Sequence, residues 1–340
     1  MKKALVFCAK DWRTPGAGWV ERYCFQVFSR LARQGYQIFW VCQDNFGRLL
    51  SESNKRGVET VDGIQVARLG LPMFHRPMTG MLLSRLANTH RLREQYDVII
   101  DCVNGKPMRI PDNADIPVAP LVFNLSKGAR ISEDPPSPFV AASERARRRI
   151  TGAGVSKENV VYAPYGVDPE MYTPGGGPQH DGFVITAIDD RPRVFLGALS
   201  HPSVQQFAPH AALIGRKKPW SAPPSVHYRP VLPKEERAAL FQHSTVGFCG
   251  EGREHEALAM AACGLPVIAP ATIEGEEYVE HNVNGLTYEP GDIASAREQL
   301  SAVIEDDALR ERLAANAQEG IQSRSWDKTT ELIRAVLERI

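Results

Sequence analysis

Three stretches of the chain combine carboxylates, cations and glycines in an order that suits an anionic or polyhydroxyl ligand. The first is Cys249-Gly-Glu-Gly-Arg-Glu-His-Glu-Ala-Leu-Ala-Met-Ala-Ala-Cys-Gly-Leu-Pro266. It reads as a strand end, a polar loop with Gly250 and Gly252, an Ala-rich helix from His255 to Cys263, and a Pro-led strand. The helix start carries about half a unit of positive charge, which suits a diphosphate. Glu251, in the loop, is placed to accept hydrogen bonds from sugar hydroxyls. Arg253, Glu254 and Glu256 complete the loop; an acidic first turn is also what any helix start favours. The second stretch, Glu274 to Asp292, offers Glu277 for a ribose diol and the turn dipeptide Asn284-Gly285. Its alternative is a surface helix and turn. The third is the loop Thr14-Pro-Gly-Ala-Gly-Trp-Val-Glu-Arg22, where Gly16 and Gly18 permit positive φ and close backbone approach at a helix start. It lacks a full G-x-G-x-x-G, so a plain strand-to-helix turn competes equally.

These stretches need elements to hold them. Ala4 to Ala9 is a short apolar run and reads as a buried strand. Val20, Cys24, Val27, Phe28 and Leu31 recur at helical spacing, and Gly35 stops that helix. Ile38 to Cys42 is the next strand, so the first two strands are parallel with a right-handed crossover. Further strands are expected at Ile64–Arg68, Val98–Asp101, Pro117–Phe123, Phe139–Ala142 and Val160–Ala163, with Ser143 capping a helix through Ile150. The Gly/Pro-rich tract Tyr172 to Gly182 reads as a linker. Beyond it, strands are expected at Phe183–Thr186, Val194–Gly197, Val226–Tyr228, Val246–Cys249 and Val267–Ala269. Helices are expected at Lys234–Gln242, Gly275–His281, Ile293–Ile304, Asp307–Gly320 and Asp327–Ile340; Ser200 to Pro224 shows no clear period. The fold class is therefore α/β, with two Rossmann-like doubly wound domains. Two such sheets facing a cleft would hold a ligand at their strand carboxyl ends.

Length and composition agree with that division. The chain has 340 residues, more than one ordinary core holds. Its formal net charge is zero, which argues against a nucleic-acid partner. The six cysteines form no C-x-x-C pair and flank no His at ligand spacing, so they read as small core residues in a reducing compartment. The N-terminal apolar run is too short for a signal peptide, and no run reaches the roughly 18 apolar residues of a membrane span. A cytoplasmic address follows by default. Two basic stretches, Arg145 to Arg149 and Arg76 to Arg93, read either as solvated helix faces or, for Arg76 to Arg93 with its Met and Leu residues, as contact with the inner face of an anionic membrane.

Several motifs together resemble the GT-B glycosyltransferases of group 1, family 4. They are Cys263-Gly-Leu-Pro-Val267, Glu277-Tyr-Val279, Asn284-Gly-Leu286, Pro290-Gly-Asp292, Pro164-Tyr-Gly-Val-Asp168, Glu21-Arg22 after the Gly loop, and Ser325-Trp326. The resemblance is close from about Val231 onward and looser before it. It implies an acceptor-side domain over 1–168, joined by a final helix 327–340 that crosses back, and a nucleotide-sugar-binding domain over 169–326. It implies transfer of a sugar from a nucleotide-diphosphate sugar to a glycan, lipid-linked or small-molecule acceptor, with retention of configuration and domain closure over the substrates. No cofactor and no metal are expected, the sugar nucleotide being a substrate. Glu251, Arg191, Arg193 and Lys217 are the candidates for the catalytic machinery, with Arg216 and Lys218 nearby. Gly16, Gly18, Gly250, Gly252, Arg253, Glu254, Glu256 and Glu277 are the candidates for donor binding, and Asn124 and Glu21 for the acceptor side. The sequence departs from the family pattern in several places: the Arg and Lys that bind the diphosphate in the family have no clean match, Arg191, Arg193, Arg216, Lys217 and Lys218 being the nearby candidates, and the second domain is abbreviated before Val226. Ala259 stands where the family has its second Glu, and Asn124 where many members have a His. A non-catalytic nucleotide-binding or scaffolding relative and a sugar-nucleotide epimerase therefore stay open as alternatives.

Overall fold

The computed structural model describes residues 2–8, 10, 12–13, 18–43, 58–69, 94–105, 116–126, 131, 137–175, 184–207, 210–230 and 232–340. Gly16, the stretch Arg76 to Arg93 and the linker residues after Gly175 lie outside them. The described residues form two compact units. One comprises residues up to Tyr165 together with Trp326–Ile340; the other is Gly166–Ser325.

The first unit carries an eight-stranded sheet in the order β3-β4-β2-β1-β5-β6-β7-β8. The strands are β1 (Lys3–Phe7), β2 (Gln37–Gln43), β3 (Val58–Val61), β4 (Ile64–Leu69), β5 (Val98–Gly105), β6 (Val118–Leu125), β7 (Phe139–Ala141) and β8 (Val160–Tyr162). Only β3 runs antiparallel to its neighbour; the other pairs are parallel. Strand order reverses at β1 and β5, the kind of position where doubly wound sheets hold ligands. Helix α1 (Trp19–Arg33) buries Tyr23, Cys24, Val27, Phe28 and Leu31, the stripe its periodicity predicts. It ends in a Schellman turn. The Tyr36 N–H donates to the Leu31 carbonyl at 3.0 Å, the Gly35 N–H donates to the Ala32 carbonyl at 3.0 Å, and Gly35 adopts φ +95°. Helix α2 (Glu144–Thr151) is capped as its sequence implies, the Ser143 hydroxyl accepting from the Ala146 N–H at 3.2 Å.

The chain's final helix, α10 (Trp326–Arg339), belongs to this first unit, where Trp326, Ile333, Val336 and Leu337 join the core under α1. Aromatic edges hold it. Tyr23 meets Trp326 at 5.4 Å and 83°, and Tyr165 meets Trp326 at 4.6 Å. Arg30 on α1 pairs with Asp327 at 2.7 Å.

The second unit carries a six-stranded sheet, all parallel, in the order β11-β10-β9-β12-β13-β14. Its strands are β9 (Val184–Ile188), β10 (His210–Ile214), β11 (Val226–Arg229), β12 (Val246–Cys249), β13 (Val267–Pro270) and β14 (Gly285–Tyr288). Its helices are α3 (Arg193–Leu199), α4 (Pro202–Gln205), α5 (Lys234–Gln242), α6 (Ala257–Ala262), α7 (Ile273–Tyr278), α8 (Ile293–Glu305) and α9 (Asp307–Glu319).

Three expectations are corrected here. Val194–Gly197 is not a strand but the body of α3; the apolar run is too short for periodicity to choose, and burial of one face with Ile293 of α8 against Gly197 decides for helix. The start of the expected linker is structured within the second unit. Tyr172 is buried there, 6.2 Å from the Phe241 ring, and Gly175 packs on the Gln242 backbone so closely that a Cβ would overlap it. Finally, the expected helix His255–Cys263 begins with a 3-10 turn over Glu254–Glu256 and becomes α-helical only at Ala257.

Candidate functional site

The carboxyl ends of β9, β10 and β12 converge on Asp189. This residue follows β9 directly, is buried, and accepts the Arg191 N–H at 2.8 Å. Two glycines make room for it. Gly215, after β10, lies against the Asp189 carbonyl, and Gly250, after β12, lies against its carboxylate; a Cβ at Gly250 would overlap that carboxylate. Burial pushes the Asp189 carboxyl up to about 6, aided by the neighbouring charges of Asp190 and Glu251 and opposed by the Arg191 N–H.

The next residue, Asp190, is tied into an ion-pair network. It accepts from Arg253 at 2.8 and 3.1 Å, lies 3.5 Å from the Arg216 guanidinium, and accepts the Arg216 N–H at 3.0 Å. Arg253, expected to reach a donor, is itself buried in that pair. Glu254 is buried as well and accepts from the Thr272 hydroxyl at 3.3 Å. Glu256 is held on the far side of the same turn. It pairs with Arg237 at 3.1 Å, and Arg237 also donates to the Tyr172 hydroxyl at 2.8 Å. A carboxylate committed to a buried cation in this way is a structural member rather than a ready ribose ligand.

What remains available at these strand ends is the loop tip and its surrounding cations. Glu251 is exposed between Gly250 and Gly252, and Gly252 takes φ +81°, which demands glycine. Arg191 and Lys217 are exposed on the loops after β9 and β10. Arg193 is exposed too, and its guanidinium donates to the Gly291 carbonyl at 3.0 Å, which anchors it to the loop before α8. Glu277 is half-buried on α7, and its carbonyl accepts from Arg324 at 3.0 Å. The structure thus gathers Glu251, Arg191 and Lys217 at the strand ends of one sheet, while Arg253 and Glu256 serve the scaffold.

The helix-start anion site is weaker than the sequence suggests. The 3-10 turn that leads into α6 carries two buried carboxylates, Glu254, whose charge opposes an approaching diphosphate, and Glu256, whose charge is met by Arg237. Cationic loops, rather than that helix start, are the groups of opposite sign. Sequence reasoning also missed Asp189 and Asp190. Their signal was present, since two carboxylates directly follow the apolar run Val184 to Ile188 at a strand's carboxyl end.

In the first unit, Glu21 caps its own helix. Its carboxylate accepts the Gly18 N–H at 2.7 Å, and burial raises its pKa. Gly18 is the cap residue with φ −102°, so the expected positive φ is not used there. Asn124 is exposed near the carboxyl end of β6, in register with Asn104 on β5 just past a bulge.

Two parallel-sheet units of this kind define the fold class of the GT-B glycosyltransferases. Solved structures agree over the whole chain. HepE of Anabaena, crystallised with UDP and glucose, superposes with a TM-score of 0.71 at 16% identity, covering 100% of both chains. WaaG, a glycosyltransferase involved in lipopolysaccharide biosynthesis, gives a TM-score of 0.70 at 10% identity, covering 98% of both. Residues 223–320 match the family described as Glycosyl transferases group 1, a segment that holds the loop carrying Glu251 and the helix carrying Glu277. Among curated proteins, the D-inositol 3-phosphate glycosyltransferase of Nocardioides sp. (strain ATCC BAA-499 / JS614) is 33% identical over 137 residues, which is 38% of this chain and 29% of that protein. The O-antigen biosynthesis protein RfbC of Myxococcus xanthus is 33% identical over 103 residues, 28% of this chain and 8% of that protein. These matches span less than a third of either relative. Among the described residues, no helix is long and apolar enough to cross a membrane.

Proposed function

We propose that the chain transfers a sugar from a nucleotide-diphosphate sugar to an acceptor, with retention of configuration. The observation that carries this is the group 1 segment at 223–320, which places an exposed Glu251 at the carboxyl end of a parallel strand. The donor lies against the second unit, and the acceptor is held by the first, near Asn124 and Glu21. Glu251 accepts hydrogen bonds from the donor sugar. The difficult event is departure of the diphosphate, and its developing charge is met by Arg191 and Lys217. No protein nucleophile and no metal enter this scheme. The bond is made by positioning and charge stabilisation. The HepE structures hold UDP and UDP-glucose, so uridine is the first base to try.

The test is sugar transfer from a panel of nucleotide sugars to glycan, lipid-linked and small acceptors, with anomeric configuration read by NMR. Glu251→Ala is expected to lower turnover at least about a hundredfold, the scale of losing one transition-state contact, while unfolding like the parent. Normal turnover in that variant would remove Glu251 from the mechanism, and an inverted product would remove retention. One observation favours a second reading. Ala259 replaces the family's second Glu, and Glu256, the nearest carboxylate on that turn, is committed to Arg237. A nucleotide-binding relative without turnover would bind a diphosphate yet consume no sugar nucleotide with any acceptor.

A further inference from the structure

The first unit contains a second concentration of ligating atoms, on α1 and the two strands beside it. Cys8 directly follows β1, its N–H donating to the Val41 carbonyl at 3.2 Å. Cys24 sits on the buried face of α1, and Cys102 lies on β5, one residue past the Asp101 that pairs in register with Phe7. Their three Sγ atoms lie within 4.8 Å of one another, and Cys24 and Cys102 are 3.6 Å apart. The cluster stands where the strand order reverses at β1 and β5.

The spacing suits one shared ion. Two sulfurs bound to a zinc-sized cation at about 2.3 Å stand roughly 3.8–4.0 Å apart in tetrahedral or trigonal geometry. The Cys24–Cys102 separation of 3.6 Å is close to that value, and the third sulfur lies within 4.8 Å of both. Soft sulfur ligands select zinc-type and copper(I) ions over calcium or magnesium. Charge decides between the two. Three thiolates bring three negative charges into a buried place near the buried carboxylates of Asp101 and Glu21. A divalent ion leaves one of those three charges uncompensated and a monovalent ion two, and uncompensated buried charge is costly.

We propose that Cys8, Cys24 and Cys102 form a three-thiolate site for a thiophilic divalent cation of the zinc type, cross-linking β1, α1 and β5. Each sulfur–metal bond forms as its thiol gives a proton to solvent. The site was invisible to spacing rules because its ligands come from three separate elements.

The experiment is titration of the reduced, metal-free full chain with cadmium, followed by thiolate-to-metal charge-transfer absorption in the ultraviolet, and with zinc against a chromophoric chelator. One equivalent is expected, lost in Cys24→Ser and in Cys102→Ser and kept in Cys263→Ser. An absorption band that survives both substitutions, or no uptake by the parent chain, overturns the site. Oxidation to a Cys24–Cys102 disulfide without metal uptake overturns it too. A readout independent of any variant is X-ray absorption of the zinc-loaded parent. Three sulfur neighbours at about 2.3 Å are expected, whereas a shell of only nitrogen and oxygen would contradict the assignment.

Discussion

Asp189 is the residue whose environment is most sharply set by the fold, because Gly215 and Gly250 bring two neighbouring strand ends against it. Its raised pKa has a definite sign for stability. A carboxyl whose folded pKa lies above its unfolded value stabilises the fold in its protonated form. That contribution is whole below about pH 4 and is lost as pH rises through about 6. Above that, the folded state carries a buried charge costing up to about 3 kcal/mol, each tenfold weakening of acidity being worth about 1.4 kcal/mol. Asp189→Asn keeps an oxygen for the Arg191 N–H and removes the charge. Urea unfolding from pH 4 to 8 should show the variant gaining on the parent between about pH 4 and 6 and keeping a constant margin above that; a difference independent of pH across the whole range would contradict this assignment. Glu256 behaves in the opposite way. Removing it leaves Arg237 buried without its carboxylate, so Glu256→Ala should cost about 3–5 kcal/mol of stability. Nucleotide affinity measured below the melting temperature should be preserved; a stable variant with lost affinity would restore Glu256 as a ligand. Glu251 was legible from sequence because a carboxylate between two glycines at a strand end has few structural uses. Glu256 was not legible, because its partner Arg237, and the Tyr172 hydroxyl that Arg237 also holds, lie on other elements and only the fold brings them together.

Among the elements, the glycines that let helices lie close on the second sheet are the sensitive points. Gly275, in α7, sits so near the Pro270 carbonyl at the end of β13 that a Cβ would overlap it. Alanine normally gains about 1 kcal/mol over glycine inside a helix. Here the obstacle is backbone, and overpacking costs about 1–3 kcal/mol, so Gly275→Ala should lower stability. A raised melting temperature would show that α7 shifts without penalty. Periodicity found the long elements well: α1, α5, α8, α9 and α10 fall within a residue or two of their expected bounds. It failed at short ones. The run Val194 to Leu199 carries no period long enough to separate helix from strand. The four-residue β14 was hidden behind the Asn284-Gly285 turn signal, and β10 lay in the proline-rich stretch that gave no pattern.

For the whole molecule, the division into two units returns the last helix to the first of them. Trp326 is nearly fully buried among Tyr23 and Tyr165. Trp326→Ala should cost about 3–5 kcal/mol, and the loss should fall on the first unit, leaving the unfolding of the second unchanged. Hydrogen exchange resolved by peptide would show it; equal loss of protection in both units would mean that they unfold as one. That each unit is a doubly wound α/β layer followed from alternating apolar runs and helical stripes; the strands β3, β10 and β14 and the order within each sheet did not. The cysteine cluster did not, since no local pattern records which strand ends become neighbours.

The decisive measurement is calorimetric titration of the full chain with UDP, GDP, ADP, CDP and TDP. A glycosyltransferase of the proposed kind binds one of them saturably at one site per chain, and at about 100 times its dissociation constant that ligand stabilises the fold by about 2.7 kcal/mol. Saturable binding weakened by Arg191→Ala or Lys217→Ala would place the diphosphate on the strand-end cations. Failure of all five to bind, by a chain shown to be folded, would contradict nucleotide-sugar transfer at this site.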